Sequence, residues 1–286
     1  MGPDPLDLMH QGADRVIGSY LLETDDGLAL FDCGPSTCLP RLKAALLERG
    51  VELGDVRHLL LSHIHLDHAG AAGVLVREHP ELLVHVSEIG APHLADPSRL
   101  ETSARRLYGD TFDTLWGELA PVPQQNIRVV AARVLGLDCF PTQGHASHHV
   151  SYLDGAGTLY AGDAAGVRIH PDWAVLPPTP PPDFDLEVWL ETIDEIERRR
   201  PERLALIHFG VTSDPELQLA ELRTRLTQWV RRIQTGATEE EFGESVRNDL
   251  VATRSDSATY ERAMPFWQSY AGLTRYSERR GTAGSS

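Results

Sequence analysis

Residues 61 to 70 read Leu-Ser-His-Ile-His-Leu-Asp-His-Ala-Gly, in which the run from His63 to His68 directly follows the apolar segment His58–Ser62. His63, His65, Asp67 and His68 place three imidazoles and a carboxylate within six residues. Neutral imidazole nitrogen and carboxylate oxygen are the ligands that zinc, iron and manganese take. A helix does not bring His63 and His65 together, because residues two apart do not share a helical face. At the end of a strand they point the same way. A turn into a helix can then aim Asp67 and His68 from a second direction.

Three further segments each put one ligand-type residue at the end of a short apolar run. His145 follows Leu135–Phe140 in Thr142-Gln143-Gly144-His145. Asp163 follows Thr158–Ala161 in Tyr160-Ala161-Gly162-Asp163, and His208 ends Leu206-Ile207-His208-Phe209-Gly210. Singly, a Gly-Asp pair is a turn and a histidine after a strand is a polar cap. Four such edges on one side of a sheet structure could enclose two metal ions.

The order H-x-H-x-D-H, G-H, G-D and a late His, from about Val16 to Gly210, resembles the metallo-β-lactamase superfamily of metal-dependent hydrolases. Asp32-Cys33-Gly34-Pro35, Gly162–Val167, the proline run Pro177–Pro182 and His208-Phe209-Gly210 resemble a little-characterised prokaryotic subgroup related to glyoxalase II type enzymes. The resemblance implies an α/β fold, a four-layer αβ/βα sandwich, with metals at one edge between two sheets. It implies one metal on His63, His65 and His145, a second on Asp67, His68 and His208, and Asp163 bridging them. Zinc is the expected ion, with iron or manganese as alternatives. Relatives commonly read T-P-G-H-T-P-G-H where this chain has Thr142–His149, so Gln143 replaces a proline and His148 a glycine. His148 is expected as an exposed loop side chain; its alternative role is proton donor or substrate contact.

That ligand set implies a hydroxide bridging two metals and attacking an activated carbonyl. Asp67 would ligate and orient the nucleophile, Asp163 would fix the metal separation, and His148 or water would protonate the leaving group. A small thioester, ester or lactone suits this chemistry. Two other readings remain. One is a persulfide dioxygenase with a single iron on His63, His145 and Asp163. The other is a non-enzymatic metal-binding or interaction protein.

Composition narrows the field. The chain has 286 residues, 41% of them hydrophobic, and no run approaching the length of apolar sequence that a membrane span needs. The formal net charge is -16, and Arg198-Arg199-Arg200 is the densest basic run. A nucleic-acid enzyme needs a basic footprint, so no nucleic-acid partner is expected. Lys43 is the only lysine, which excludes a G-K-[ST] phosphate loop and disfavours Schiff-base chemistry. Neither G-x-S-x-G nor G-x-G-x-x-G occurs. Met1–Pro5 shows no secretory pattern, and Cys33, Cys38 and Cys139 read as reduced thiols, so a cytoplasmic location is expected.

The remaining pattern supplies the scaffold. Strands Val16–Glu23 and Leu28–Asp32 flank the turn Thr24–Gly27. Helices are predicted over Leu39–Arg49, Ala69–Glu78 and Asp185–Arg199, with a strand at Leu82–Val86. Ala91–Leu119 reads as irregular helix, with Tyr108, Phe112 and Trp116 at a spacing that suggests core packing. Proline-rich Ala164–Asp183 is either a rigid surface connection or a wall of the site. The predicted division is 1–213 for the metal-binding fold and 214–286 for a helical extension that packs over the site or against a second copy in a homodimer. Its predicted helices are Pro215–Arg232, Glu239–Ala252 and Ser257–Tyr270, with Gly281–Ser286 disordered.

Overall fold

The computed structural model describes residues 3–283. Twelve short strands among these residues form two six-stranded sheets. The first sheet runs in chain order: β1 (Leu6–Asp7), β2 (Gly18–Thr24), β3 (Gly27–Phe31), β4 (Val56–Leu60), β5 (Leu83–Val86) and β6 (Ile127–Val129). The second contains β7 (Arg133–Val134), β8 (Leu137–Pro141), β9 (Val150–Leu153), β10 (Thr158–Gly162), β11 (Arg203–Leu206) and β12 (Gly210–Thr212). Its spatial order is the reverse, β12 to β7. β2 and β3 are a hairpin, and β3, β4, β5 and β6 are mutually parallel. In the second sheet only β10 and β11 pair in parallel. With helices outside both sheets, this is the four-layer αβ/βα sandwich that the sequence predicts.

The sheets face one another across an apolar layer. Tyr20 and Phe31 of the first sheet meet Tyr152 and Tyr160 of the second there, ring against ring and all buried. Polar groups inside this layer are satisfied across it. The Tyr20 hydroxyl donates to Leu206 O at 2.8 Å and the Tyr152 hydroxyl to Leu61 O at 3.0 Å. At the edge near the ligand residues the backbones join directly, through Gly18 N–H to Ile207 O (2.9 Å) and Val150 N–H to Ser62 O (2.8 Å). The strand ends that carry His63 and His208 are thus fixed to the opposite sheet as well as to their own.

The outer face of the second sheet belongs to a separate apolar cluster. Leu159, Leu204 and Leu206 pack with Trp189 and Ile193 of helix Leu186–Arg199 and with Leu222 and Trp229 of helix Pro215–Gln234. Phe242, Tyr260, Phe266 and Leu273 from the following helices complete the same cluster. The expected helix over Ser257–Tyr270 is two helices, Ser257–Ala263 and Phe266–Ala283, separated at Met264-Pro265. Pro265 cannot continue a helix because it lacks an N–H and clashes with the preceding turn. The second of these helices runs on through Gly281–Ala283, where disorder was predicted; Gly284–Ser286 lie outside the described residues.

Other predictions need correction. The strand expected over Leu135–Phe140 begins at Leu137, because Leu135 and Gly136 form a turn with positive φ. The helical pattern of Ala91–Leu119 breaks into Ala91–Ala95, Ser98–Tyr108 and Phe112–Leu115. Within its aromatic stripe only Phe112 is fully buried, packing on Leu66 and Ala104. Tyr108 and Trp116 are half-buried and face a cavity. The proline segment is a wall of that cavity, through Pro178–Asp183. It is clamped to the last helix: Thr179 Oγ1 donates to Ser269 O at 3.2 Å. A Cβ at position 272 would lie 2.0 Å from Thr179 O, so only glycine allows this approach.

One buried pair away from the cavity sets an acid limit on the fold. His58 and His85, on β4 and β5, are almost fully buried, with His58 Nδ1 3.1 Å from His85 Nε2. Burial, then the His58 ring, lowers the His85 pKa to about 4. The unfolded chain takes up this proton near pH 6.5. Between those values the unfolded state binds the proton and the folded state does not, so stability is complete above pH 6.5 and falls with falling pH. We predict that urea unfolding shows this group contributing roughly 2 kcal/mol of the loss between pH 7 and pH 5. His85→Gln should flatten the slope by that amount; identical slopes in both proteins would show that His85 is not the titrating group.

Candidate metal centre

The four strand ends converge at one edge of the sandwich. β4 is followed by Ser62 and His63, and the short helix Leu66–Ala69 carries Asp67 and His68. β8 leads to His145, β10 to Asp163 and β11 to His208. His63, His68, His145, Asp163 and His208 are each at most 2% exposed. His65 and Asp67 are partly exposed and face the cavity.

Two clusters result. His63 Nε2 is 2.8 Å from His65 Nδ1 and 3.2 Å from His145 Nε2, and the last two are 2.9 Å apart. In a tetrahedral zinc site with bonds of about 2.0–2.1 Å, neighbouring ligand atoms stand roughly 3.3 Å apart. The three ring nitrogens therefore already have nearly the spacing of one face of such a site. In the second cluster, Asp67 Oδ2 lies 3.6 Å from His68 Nε2 and 3.3 Å from His208 Nε2. Asp163 lies between the two. Its Oδ2 is 3.2 Å from His145 Nε2, while Oδ1 is 3.4 Å from His68 Nε2 and 3.7 Å from His208 Nε2. His68 Nε2 and Asp163 Oδ1 are buried without a hydrogen-bond partner, an arrangement that costs free energy unless a cation sits between such groups.

The surrounding groups fix which nitrogen each ring presents. His145 Nδ1–H donates to Pro178 O (2.7 Å) and His208 Nδ1–H to Val16 O (2.5 Å). His68 Nδ1–H donates to Asp32 Oδ2 (2.7 Å). Asp32 also accepts the Ser62 N–H (2.8 Å) and the Ser62 hydroxyl (2.7 Å). That hydroxyl proton being committed, Ser62 Oγ accepts from His63 Nδ1–H at 2.9 Å. Four rings thereby hold Nε2 lone pairs toward the centre, the second-layer arrangement that metal-binding histidines use. Asp163 is held from behind: its N–H donates to His149 Nε2 (3.1 Å), and His149 Nδ1–H donates to Thr142 Oγ1 (2.8 Å). Gly162, at φ 53°, is essential here, since a Cβ would stand 2.6 Å from Ser62 Cβ and 2.7 Å from His149 Nε2.

The two halves differ electrostatically. Burial and the neighbouring rings hold His63 and His65 well below the usual imidazole value, and burial lowers His145 as well. All three are neutral and free to donate lone pairs. Around His68, burial is outweighed by Asp163, Asp67 and Asp32, which raise the ring well above its ordinary value. His208 is raised too, burial being overcome by Asp67 and Asp163. Burial works against both carboxyls, yet the adjoining imidazoles keep Asp67 and Asp163 ionised. This half attracts positive charge to its ring nitrogens, where a metal ion competes with a proton.

One expectation is corrected and four residues are added. His148 is not an exposed loop side chain: it is 8% exposed, lines the cavity, and burial lowers its pKa to about 4, so it is neutral. Asp32, Ser62 and His149, which hold the clusters, and His10, which lines the cavity, carry no ligand-type signal in the sequence beyond residue type. Asp32 stands out only through its place in the Asp-Cys-Gly-Pro motif. Asp32→Asn keeps the shape but removes the charge behind His68. We predict a loss of roughly 10- to 100-fold in metal affinity, measured by chelator competition, with the far-ultraviolet circular dichroism unchanged. Wild-type affinity in this variant would remove Asp32 from the centre.

Known proteins share this architecture. A family model described as the metallo-beta-lactamase superfamily matches residues 14–208. A metallo-beta-lactamase fold-containing protein, ST1585 of Sulfurisphaera tokodaii, is 25% identical over 184 residues, covering 62% of this chain and 69% of ST1585. Its crystal structure superposes with a TM-score of 0.63 at 19% identity, covering 92% of this chain and 93% of that one. A metallo-beta-lactamase family protein of Thermus thermophilus, TTHA1429, gives a TM-score of 0.70 at 21% identity, covering 98% and 93%. TTHA1623, solved in a di-iron-bound form, gives 0.56 at 23% identity, covering 73% and 94%. With that family's model spanning most of the chain and its fold reproduced around the strand-end cluster, the protein belongs to the metallo-beta-lactamase superfamily.

Proposed function

We propose that the protein is a dinuclear metal-dependent hydrolase of small thioesters, esters or lactones. The position of Asp163 carries this reading: one carboxylate oxygen faces the three-histidine cluster and the other faces His68 and His208. A structural metal site closes with four ligands and has no use for a bridge. His63, His65 and His145 would hold one ion, Asp67, His68 and His208 the other, with Asp163 shared. TTHA1623, with its two irons on the same fold, supports a pair of ions here. Such ions supply Lewis acidity and a water molecule of lowered pKa.

The chain's own groups do the remaining tasks. Asp67 is 22% exposed on the cavity side and ionised, so its carboxylate can accept a hydrogen bond from water beside the centre and orient it. Asp163, buried and fixed by His149, keeps the two clusters at constant separation. His148 receives the Ile64 N–H at Nδ1 at 3.5 Å. Its Nε2–H can therefore donate to an acyl oxygen or to the departing group. As a neutral ring it would supply a hydrogen bond and not a proton: a thiolate can depart unprotonated, and an alkoxide would take its proton from water.

Metal analysis and turnover together test the proposal. Under metal-replete conditions the protein should carry two ions per chain, with zinc the first expectation and iron or manganese the alternatives. It should cleave members of a thioester, ester and lactone panel. Asp163→Asn should lower that turnover by several orders of magnitude while the fold persists, because charge is what holds two dications near one another. Near-normal turnover in the variant would refute the bridge. One iron per chain, with oxygen uptake in the presence of a persulfide, would establish the dioxygenase reading instead.

A further inference from the structure

The cavity extends well beyond the ligand clusters. Its volume is about 510 Å³, within the size class that takes a drug-sized ligand and far larger than an acetyl ester requires. A line of rings runs along one wall and past it: His10, Trp116 and Tyr108 line the cavity, and Trp267 stands against Tyr108 outside the lining. His10 stacks on Trp116 with centroids 5.5 Å apart and planes 17° apart. Trp116 meets Tyr108 at 5.1 Å and 67°. Tyr108 meets Trp267 at 6.2 Å and 75°. His10 is buried at the inner end, where Asp67 and His208 are near enough to influence its charge. Trp267, at the outer end, is 37% exposed.

Two observations show that this line was not built only to pack. The backbone is left-handed at the non-glycine residues Met9, Gln11 and Arg15, so the loop that inserts His10 carries conformational cost. His10 is then pinned by the Trp116 face and by Cys38 Sγ at 3.6 Å from its Nδ1. The cavity lining also holds exposed apolar side chains, beside the charged Arg99, Glu261 and Arg262. Leu107 and Ile89 line the cavity while 39% and 49% exposed, and Trp267 packs against the lining residue Tyr108. Exposed apolar groups gathered at one opening mark a binding surface.

We propose that this wall is an acyl-chain subsite: the substrate's carbonyl end sits at the metal centre, and an extended aliphatic chain runs outward past Trp116, Tyr108 and Leu107. This deepens the hydrolase reading and rests on it for the carbonyl end. The geometry favours a chain over a rigid ring system. Successive rings beyond Trp116 are turned steeply against one another, so the wall alternates edges and faces. A chain of methylenes can follow such relief, whereas a fused planar ring cannot.

Binding of straight-chain fatty acids to the metal-loaded protein tests this without requiring turnover. Dissociation constants for butyrate, hexanoate and octanoate can be followed by tryptophan fluorescence and calorimetry. Each buried methylene can tighten binding by up to about fourfold, so octanoate should bind at least roughly tenfold more tightly than butyrate. Leu107→Glu and, independently, Ile89→Glu should each remove most of that gain. Both side chains are exposed, and an unchanged thermal midpoint confirms that the variants fold. Equal affinity for butyrate and octanoate, or a chain-length gain that survives both substitutions, overturns the subsite. Chain-length-dependent binding without hydrolysis of any acyl substrate would leave the subsite standing and refute the hydrolase. Hydrolysis of short acyl substrates with equal fatty-acid affinities would do the reverse.

Discussion

Five imidazoles and two carboxylates are packed together at one edge of the sandwich, and the rest of the molecule is arranged to make that tolerable. Burying polar groups is costly unless each has a partner. Most of these groups have one on the outer side: Asp32 for His68, Ser62 for His63, Pro178 O for His145, and Val16 O for His208. On the inner side the lone pairs converge. The outer hydrogen bonds orient what would otherwise repel, and the convergence selects for a cation.

That constraint explains why the strands end where they do. Each ligand leaves its strand at the point where the hydrogen-bond ladder stops, so its side chain can turn inward without disturbing the apolar layer between the sheets. The backbone bonds from Gly18 to Ile207 and from Val150 to Ser62 lock the two sheets together at this edge. Gly162 lets β10 approach Ser62 and His149 closely enough for Asp163 to stand between the clusters. A shift of a single residue in any of these registers would point a ligand into the core.

The cavity beside the centre is assembled from elements distant in sequence. The helices near Tyr108 supply one wall, the proline segment another, and the start of the last helix closes the mouth. The close approach of Gly272 to Thr179 couples the C-terminal helices to that second wall. These helices also cover the outer face of the second sheet. They thus fill an apolar layer and shape the approach to the metal centre at once.

The sequence by itself picked out the histidines and aspartates that cluster and the strand ends that carry them, because imidazole and carboxylate chemistry is local and the spacing of His63, His65, Asp67 and His68 suits a strand end followed by a turn. It also determined the hairpin at Asp25-Asp26 and most helix positions, through period and turn chemistry. What it could not decide depends on distance across the fold. Asp32 and His149 act only because tertiary folding sets them behind His68 and Asp163. The stripe of Tyr108, Phe112 and Trp116 has the spacing of a core face, yet a break after Tyr108 turns two of its rings toward a cavity. His148 looked like a loop side chain and is buried, because the Pro178–Asp183 wall and the Ser87 strand end close over it. Burial of a loop residue is a property of what packs above it, and that is settled only when the layers meet.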